Sequence, residues 1–275
     1  MQRIVVVTNS TSGSPHALDF ACYLGRLTNS KISGFFFDDL APDKAVSLYP
    51  VSDTDHRNLQ NGTPSVAHQP DATVIDQRIS LFKNACEKRD VRFSIHRDAE
   101  GSVKEIISES RYADIVVAEV GTSFDKKAEH FVKELLKEAE CPVIVAPESF
   151  EGIDEIVFTY NGSKSSMYAI KQFCYLFPQL DDKKVTVIEV EEEEASSREE
   201  RDKFREWLSG HYSSIGYNSV KGNTEAELFA ALLLKKNVFI VMGAYGRGRL
   251  SSFFRHSTAD LLVKTITQAI FIAHT

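Results

Sequence analysis

The sequence predicts an α/β protein built as two tandem, doubly wound, five-stranded parallel-sheet units. Two observations predict it. Segment 4–24 returns at 156–176 without a gap, and eight of the 21 aligned positions are identical, including Asn9/Asn161, Ala17/Ala169 and Cys22-Tyr23-Leu24/Cys174-Tyr175-Leu176. Unrelated segments would share on the order of one, so the chain carries an internal repeat. Short, nearly all-apolar runs rich in Val, Ile and Phe alternate with helical patterns in both halves. Strands of that kind separated by helices read as a parallel sheet covered on both faces.

The elements follow in order. Each copy opens with a β-branched run, 4–7 and 156–159, then an Asn/Ser/Gly-rich turn, then a helical pattern. In the second copy Ala169, Ile170, Phe173, Cys174 and Phe177 recur at helical spacing. A Ser or Thr ahead of such a pattern caps the helix by accepting a backbone N–H bond. The other strands are predicted as pairs: 31–37 with 185–190, 91–96 with 217–221, 114–118 with 238–242, and 142–146 with 269–273. Helices are predicted near 73–88, 102–111, 126–139, 196–209, 224–235 and 257–266. Two stretches break the repeat. Residues 41–72 form a long polar connection containing Pro42, Pro50, Pro64 and Pro70, expected to be a surface flap. The acidic run 191–194 reads as an approach to a helix N-terminus, where the dipole favours negative charge.

At 275 residues the chain fits two domains, predicted as 1–149 and 150–275, with the seam near 148–154 around the PESFEGI stretch. The net charge of −7 argues against nucleic acid or an anionic membrane as the main partner, since both call for a basic patch. No apolar run approaches membrane-spanning length, and the N-terminus turns polar after Val7, so no secretory signal is read and a cytoplasmic location is expected. Cys22, Cys86, Cys141 and Cys174 show no CxxC spacing, and buried, reduced thiols are expected. The histidines show no HExxH spacing, so metal catalysis is not expected.

Ligands of doubly wound sheets sit at the carboxyl ends of the strands, where strand order reverses. The loop after the fourth strand of the second copy reads MGAYGRGRLSSFFRHSTADLL from Met242 to Leu262. Gly243, Gly246 and Gly248 free the backbone, Ser257 and Thr258 start the next helical pattern, and Arg247, Arg249 and Arg255 add positive charge. A Gly loop leading to a helix N-terminus offers unpaired N–H groups and a positive dipole end, which suit phosphate. It is not a Walker A loop, because Arg249 and Leu250 stand where Lys and Ser/Thr are required. A turn that uses Gly for positive φ would account for the same glycines.

This arrangement resembles the universal stress protein family, across the whole chain and twice. Of that family's phosphate signature, G-x2-G-x9-G-[ST], Gly243, Gly246 and Ser257 match, while His256 stands at the third Gly. Where the first strand of such domains commonly ends in Asp, this chain has Asn161-Gly162-Ser163. The resemblance implies a Rossmann-like fold of the adenine nucleotide α-hydrolase type and a site for ATP with Mg. Adenosine would lie against Thr159, Tyr160, Asn161 and the backbone of Val190. The phosphates would lie against Gly243, Gly246, Ser257 and Thr258, with Met242 leading into the loop and Arg247 adding charge. His256 would either crowd the phosphate space or, protonated, donate to it. In the family the final strands meet antiparallel across a dimer, and here the two copies would meet each other within one chain; a homodimer of such chains is a further expectation.

The first copy is expected to bind no nucleotide. Its loop, AEVGTSFDKKAEHF from Ala118 to Phe131, is four residues shorter and brings Glu119 and Asp125 where phosphate would sit. Asn9, Ser10 and Thr11 then read as turn residues ahead of the first helix. The function expected is a cytosolic stress-response regulator with a single ATP site in the C-terminal domain. The alternative is a scaffold or interaction protein, an intramolecular pseudo-dimer without nucleotide. No catalytic residue is assigned: Ser257 and His256 are neighbours in sequence with no carboxylate to orient them, so a slow ATPase is the most an enzyme reading supports.

Overall fold

The fold was analysed in a computed structural model, which describes residues 1–8, 15–37, 72–98, 102–119, 126–190, 198–220, 224–233, 235–243 and 267–273. The N-terminal half contains β1 (Arg3–Thr8), α1 (Pro15–Leu27), β2 (Lys31–Phe37), α2 (Ala72–Lys88), β3 (Phe93–Asp98), α3 (Val103–Ser110), β4 (Ile115–Ala118), α4 (Lys126–Glu138) and β5 (Val143–Val145). The C-terminal half contains β6 (Glu155–Tyr160), α5 (Lys164–Leu176), a 3₁₀ turn at Pro178–Leu180, β7 (Lys184–Val190), α6 (Arg198–Ser209), β8 (Ile215–Val220), α7 (Thr224–Leu233), β9 (Val238–Gly243) and β10 (Ala269–Ala273). The 257–266 helix and most of the 41–72 connection lie outside the described residues, as does the run 191–194. Among the described residues no helix is long and apolar enough to cross a membrane.

The strands form one ten-stranded sheet in the order β3-β2-β1-β4-β5-β10-β9-β6-β7-β8. Each half is parallel within itself, and the two orders are mirror images about the centre. The exception to parallel pairing is the seam, where β5 and β10 run antiparallel with Phe271 opposite Ile144. The final strands of the two copies therefore meet each other, as the resemblance implied. The strand ends differ slightly from expectation. β3 starts at Phe93 rather than Val91, because the Val91 N–H is taken by the Cys86 carbonyl at 2.9 Å in the turn that ends α2, where Asp90 adopts a φ of 54°.

Burial follows the two faces of the sheet, not the two copies. One cluster joins Phe20, Phe82 and Ile144 to Phe173, Phe177, Phe239 and Phe271, under α1, α2, α5 and α6. The other joins Ile106, Leu135 and Val145 to Leu228, Leu232, Ile240 and Ile272, under α3, α4 and α7. Phe20 crosses the seam, with its ring centroid 5.6 Å from that of Phe239 and 5.2 Å from that of Phe150. The connection between the copies is packed as well: Ile153 is buried and Phe150 leans on the same core. All four cysteines are free thiols; Cys22, Cys86 and Cys174 are buried and Cys141 is half-buried. Burial pushes the Cys141 and Cys174 thiols up to about 12. The sequence did not signal that Cys22 on α1 and Cys86 on α2 meet, with sulfurs 3.9 Å apart.

The two halves anchor their first strands by opposite charges. Arg3, at the start of β1, donates to Ser33 at 3.2 Å and pairs with Glu109 at 2.6 Å. The equivalent residue of β6 is Glu155, which accepts from Thr186 and from Lys235 at 2.8 and 2.9 Å. Burial pushes the Glu155 carboxyl up, but the bonds from Lys235 and Thr186 outweigh it and hold the group below the usual carboxylate range. A depressed native value stabilises above the unfolded pKa of about 4.3, and that stability is lost as pH falls through the native value. Glu155→Gln is therefore expected to cost about 1–2 kcal/mol near neutral pH. The gap from wild type should narrow in urea titrations as pH falls below the unfolded carboxylate value of about 4.3; a gap that stayed constant would show that Glu155 does not titrate with folding.

Candidate functional site

In the C-terminal half, β6 lies between β7 and β9. Phe158 is opposite Val241 on β9 and Tyr160 is opposite Glu189 on β7. The chain leaves β6 toward β7 on one side, while the later strand β9 fills the other, which makes the β6/β9 boundary the switch point of this half-sheet. Thr159, Tyr160 and Asn161 at the end of β6, Val190 at the end of β7, and Met242 and Gly243 at the end of β9 are thus brought to one edge. Gly246, Arg247, His256, Ser257 and Thr258 lie outside the described residues.

The turn after β6 is built locally. The Asn161 Oδ1 accepts from the Ser163 N–H at 3.1 Å, a short side-chain loop that fits its place before a helix, and Gly162 follows at a φ of 77°. Ser163 caps α5, its Oγ accepting from the Ser166 N–H at 3.1 Å. The first turn of α5 itself holds no acidic residue at the positive end of its dipole.

Several predicted site residues are engaged by the fold itself. The Thr159 hydroxyl donates to the Val241 carbonyl at 3.2 Å. The Tyr160 ring is buried and stacks on Phe204 of α6, with centroids 4.0 Å apart and planes 11° from parallel. Met242 is buried in the core under α7. At Gly243 an added Cβ would stand 2.5–2.6 Å from the backbone of Ser165 and Ser166. The last residue of β9 is pressed against the first turn of α5, and only glycine allows that approach. Sequence reasoning missed Phe204, Ser165 and Ser166 at this site. Phe204 carries a helical-spacing signal for burial, but nothing in the sequence names Tyr160 as the ring it meets.

Next to the site, Glu189 is buried and accepts from Arg205 at 2.9 and 3.1 Å, and the Arg205 guanidinium lies 4.7 Å over the ring of Tyr217. The bond to Glu189 raises the Arg205 pKa further.

The N-terminal half presents a different surface at its own switch point, between β1 and β4. A cavity of about 330 Å³ opens there between α1 and α2, lined by Val6, Thr8, Leu18, Phe36, Phe82 and Val117 among others. Glu119, the residue expected to repel phosphate, is in its wall. The sequence had pointed to the C-terminal copy as the half with a ligand space.

No protein-family model matches the chain, and no curated protein matches it in sequence. Its fold does match solved structures over its full length. The structure of a universal stress protein from Archaeoglobus fulgidus superimposes with a TM-score of 0.66 at 12% identity, covering 99% of this chain and 96% of that one. A candidate universal stress protein from Pseudomonas aeruginosa gives 0.61 at 12% identity, covering 100% and 93%. A functionally unknown protein of Pseudomonas aeruginosa gives 0.60 at 13% identity, covering 100% and 92%. The chain has the fold of universal stress proteins.

Proposed function

We propose, from the fold this chain shares with universal stress proteins, that it is a stress-response regulator of that family whose C-terminal half holds one adenine nucleotide, ATP with Mg. The observation that carries the reading is the convergence of β6, β7 and β9 at one switch point, beside a capped α5 whose first turn lacks acid. The segment that leaves β9 there, 243–248, holds three glycines and Arg247. In this reading the nucleoside lies along the ends of β6 and β7, at Asn161 and the backbone of Val190. The phosphates meet Gly246, Arg247, His256, Ser257 and Thr258. The nucleotide would supply a charge-dense ligand; no catalytic group is assigned, and binding rather than turnover is the proposed role.

A second reading, a scaffold without nucleotide, draws on one specific observation. Tyr160 is already stacked on Phe204 and Thr159 already bonds Val241, so two residues meant for adenosine have partners in the protein. Thermal melting with and without millimolar Mg-ATP tests both. A ligand at 100 times its dissociation constant stabilises by about 2.7 kcal/mol. The nucleotide reading expects that shift in wild type, its loss in Gly246→Asp, and its retention in Gly121→Asp. The absence of any shift in wild type favours the scaffold.

A further inference from the structure

We propose that the N-terminal half carries a ligand site of its own, the cavity between α1, α2 and the ends of β1 and β4, and that it takes a small organic monoanion: an apolar body of about ten heavy atoms ending in a carboxylate. This site is independent of the nucleotide reading of the C-terminal half.

The cavity follows from two differences between the copies. Strand register makes Thr8 the counterpart of Tyr160, and makes Gly34 the counterpart of Val187, since Val6 faces Gly34 as Phe158 faces Val187. Phe82 on α2 and Phe204 on α6 also correspond. Each lies one helical turn before the residue whose carbonyl closes its helix end, Cys86 bonding the Val91 N–H and Leu208 bonding the Tyr212 N–H. In the C-terminal half the Tyr160 ring lies flat on Phe204 and fills the space. In the N-terminal half Thr8 is too short to do so. Phe82 instead settles onto the bare backbone of Gly34, where a Cβ would stand 2.7 Å from its Cζ. One ring is missing and the other is drawn down to the sheet, and the volume between them stays open.

The lining sets the ligand chemistry. Val6, Ala17, Leu18, Phe36 and Val117 give apolar walls, and Leu81 contributes a side chain that is 64% exposed. Among the described residues, the ionisable groups of the wall are Arg78, Lys88 and Arg89 against Asp19 and Glu119, one positive charge in excess. Arg89 is bridged to Asp19 at 2.6 Å. Burial pulls the Arg78 guanidinium below its ordinary range, with nearby Glu119 opposing. A partly desolvated arginine on an apolar wall suits a carboxylate, whose two oxygens match its fork. The volume is at the lower end of the range for small-molecule sites, and corresponds to about eleven water volumes.

The test uses the full chain, with sodium decanoate as the probe and decylamine as the same tail with opposite charge, in isothermal titration. Decanoate is expected to bind one per chain, at least tenfold tighter than decylamine. Thr8→Tyr, which installs the plug of the sister half, should abolish binding. Arg78→Gln should weaken decanoate roughly tenfold, the effect of one lost charge-assisted bond, and leave decylamine unchanged. Circular dichroism and melting establish that each variant folds; Arg78→Gln, at a half-buried helix position, keeps the test open if Thr8→Tyr does not. The proposal is overturned if decanoate does not bind, if decylamine binds as well, if a folded Thr8→Tyr binds like wild type, or if Mg-ATP displaces decanoate.

Discussion

Gly243→Ala is expected to destabilise the protein by roughly 3 kcal/mol, near the upper end for overpacking, because both contact partners are backbone and neither can rotate away. The added Cβ would meet Ser165 C and O and Ser166 N at 2.5–2.6 Å, at the turn that the Ser163 cap holds in place. For a chain of this size the melting temperature should fall by roughly 6–12 °C. Gly216→Ala is the control. Its Cβ would find nothing nearer than 3.9 Å, so the cost should be within about 0.5 kcal/mol. The measurement is made without nucleotide. A full-sized loss under that condition shows that Gly243 serves β9–α5 packing before it serves any ligand, and a melting temperature equal to the control would refute the close approach. It also explains why Gly246, and not Gly243, is the position on which to test phosphate binding.

Phe173→Ala should cost more, about 3–5 kcal/mol, the range for truncating a fully buried aromatic side chain. Phe173 is surrounded by rings: Phe239 at 4.9 Å, Phe177 at 5.0 Å, Phe271 at 5.4 Å and Phe158 at 5.8 Å between centroids. Phe271 lies on β10, opposite Ile144 of the other copy, and Phe239 also touches Phe20 of α1. The cavity left by Phe173 therefore lies one ring away from the other half, through Phe239 and Phe271. Chemical denaturation followed by far-ultraviolet circular dichroism should show one transition moved to lower urea, with its slope kept. If only about half of the signal moved, the two copies would be unfolding separately, and the shared core would not couple them.

The repeat carried most of the architecture into view. Ile4 and Ile156, Cys22 and Cys174, Ala17 and Ala169 occupy equivalent places because the same local patterns of strand, turn and helix were kept in both copies. Local pattern is also why Ser163 could be read as a cap and Phe173 and Phe177 as core. The same reasoning was blind to partners far apart in sequence. Asn161 was legible as a turn residue, yet nothing near Tyr160 in the chain says that it lies on Phe204, or that Gly243 touches Ser165. Those contacts join residues some 40 to 80 positions apart, and they decide whether a side chain lines a site or fills it.

From sequence alone came the twofold α/β plan, the parallel sheet within each half and the antiparallel seam, the seam through the family the repeat resembles. The first two follow from apolar runs, helical spacing and a repeated pattern, which are properties of neighbouring residues. Only the folded chain showed that the N-terminal half has open space between α1 and α2. Thr8 and Tyr160 head the same strand position, and the difference between a gap and a stacked ring depends on where Phe82 and Phe204 come to rest, a matter of packing across the sheet.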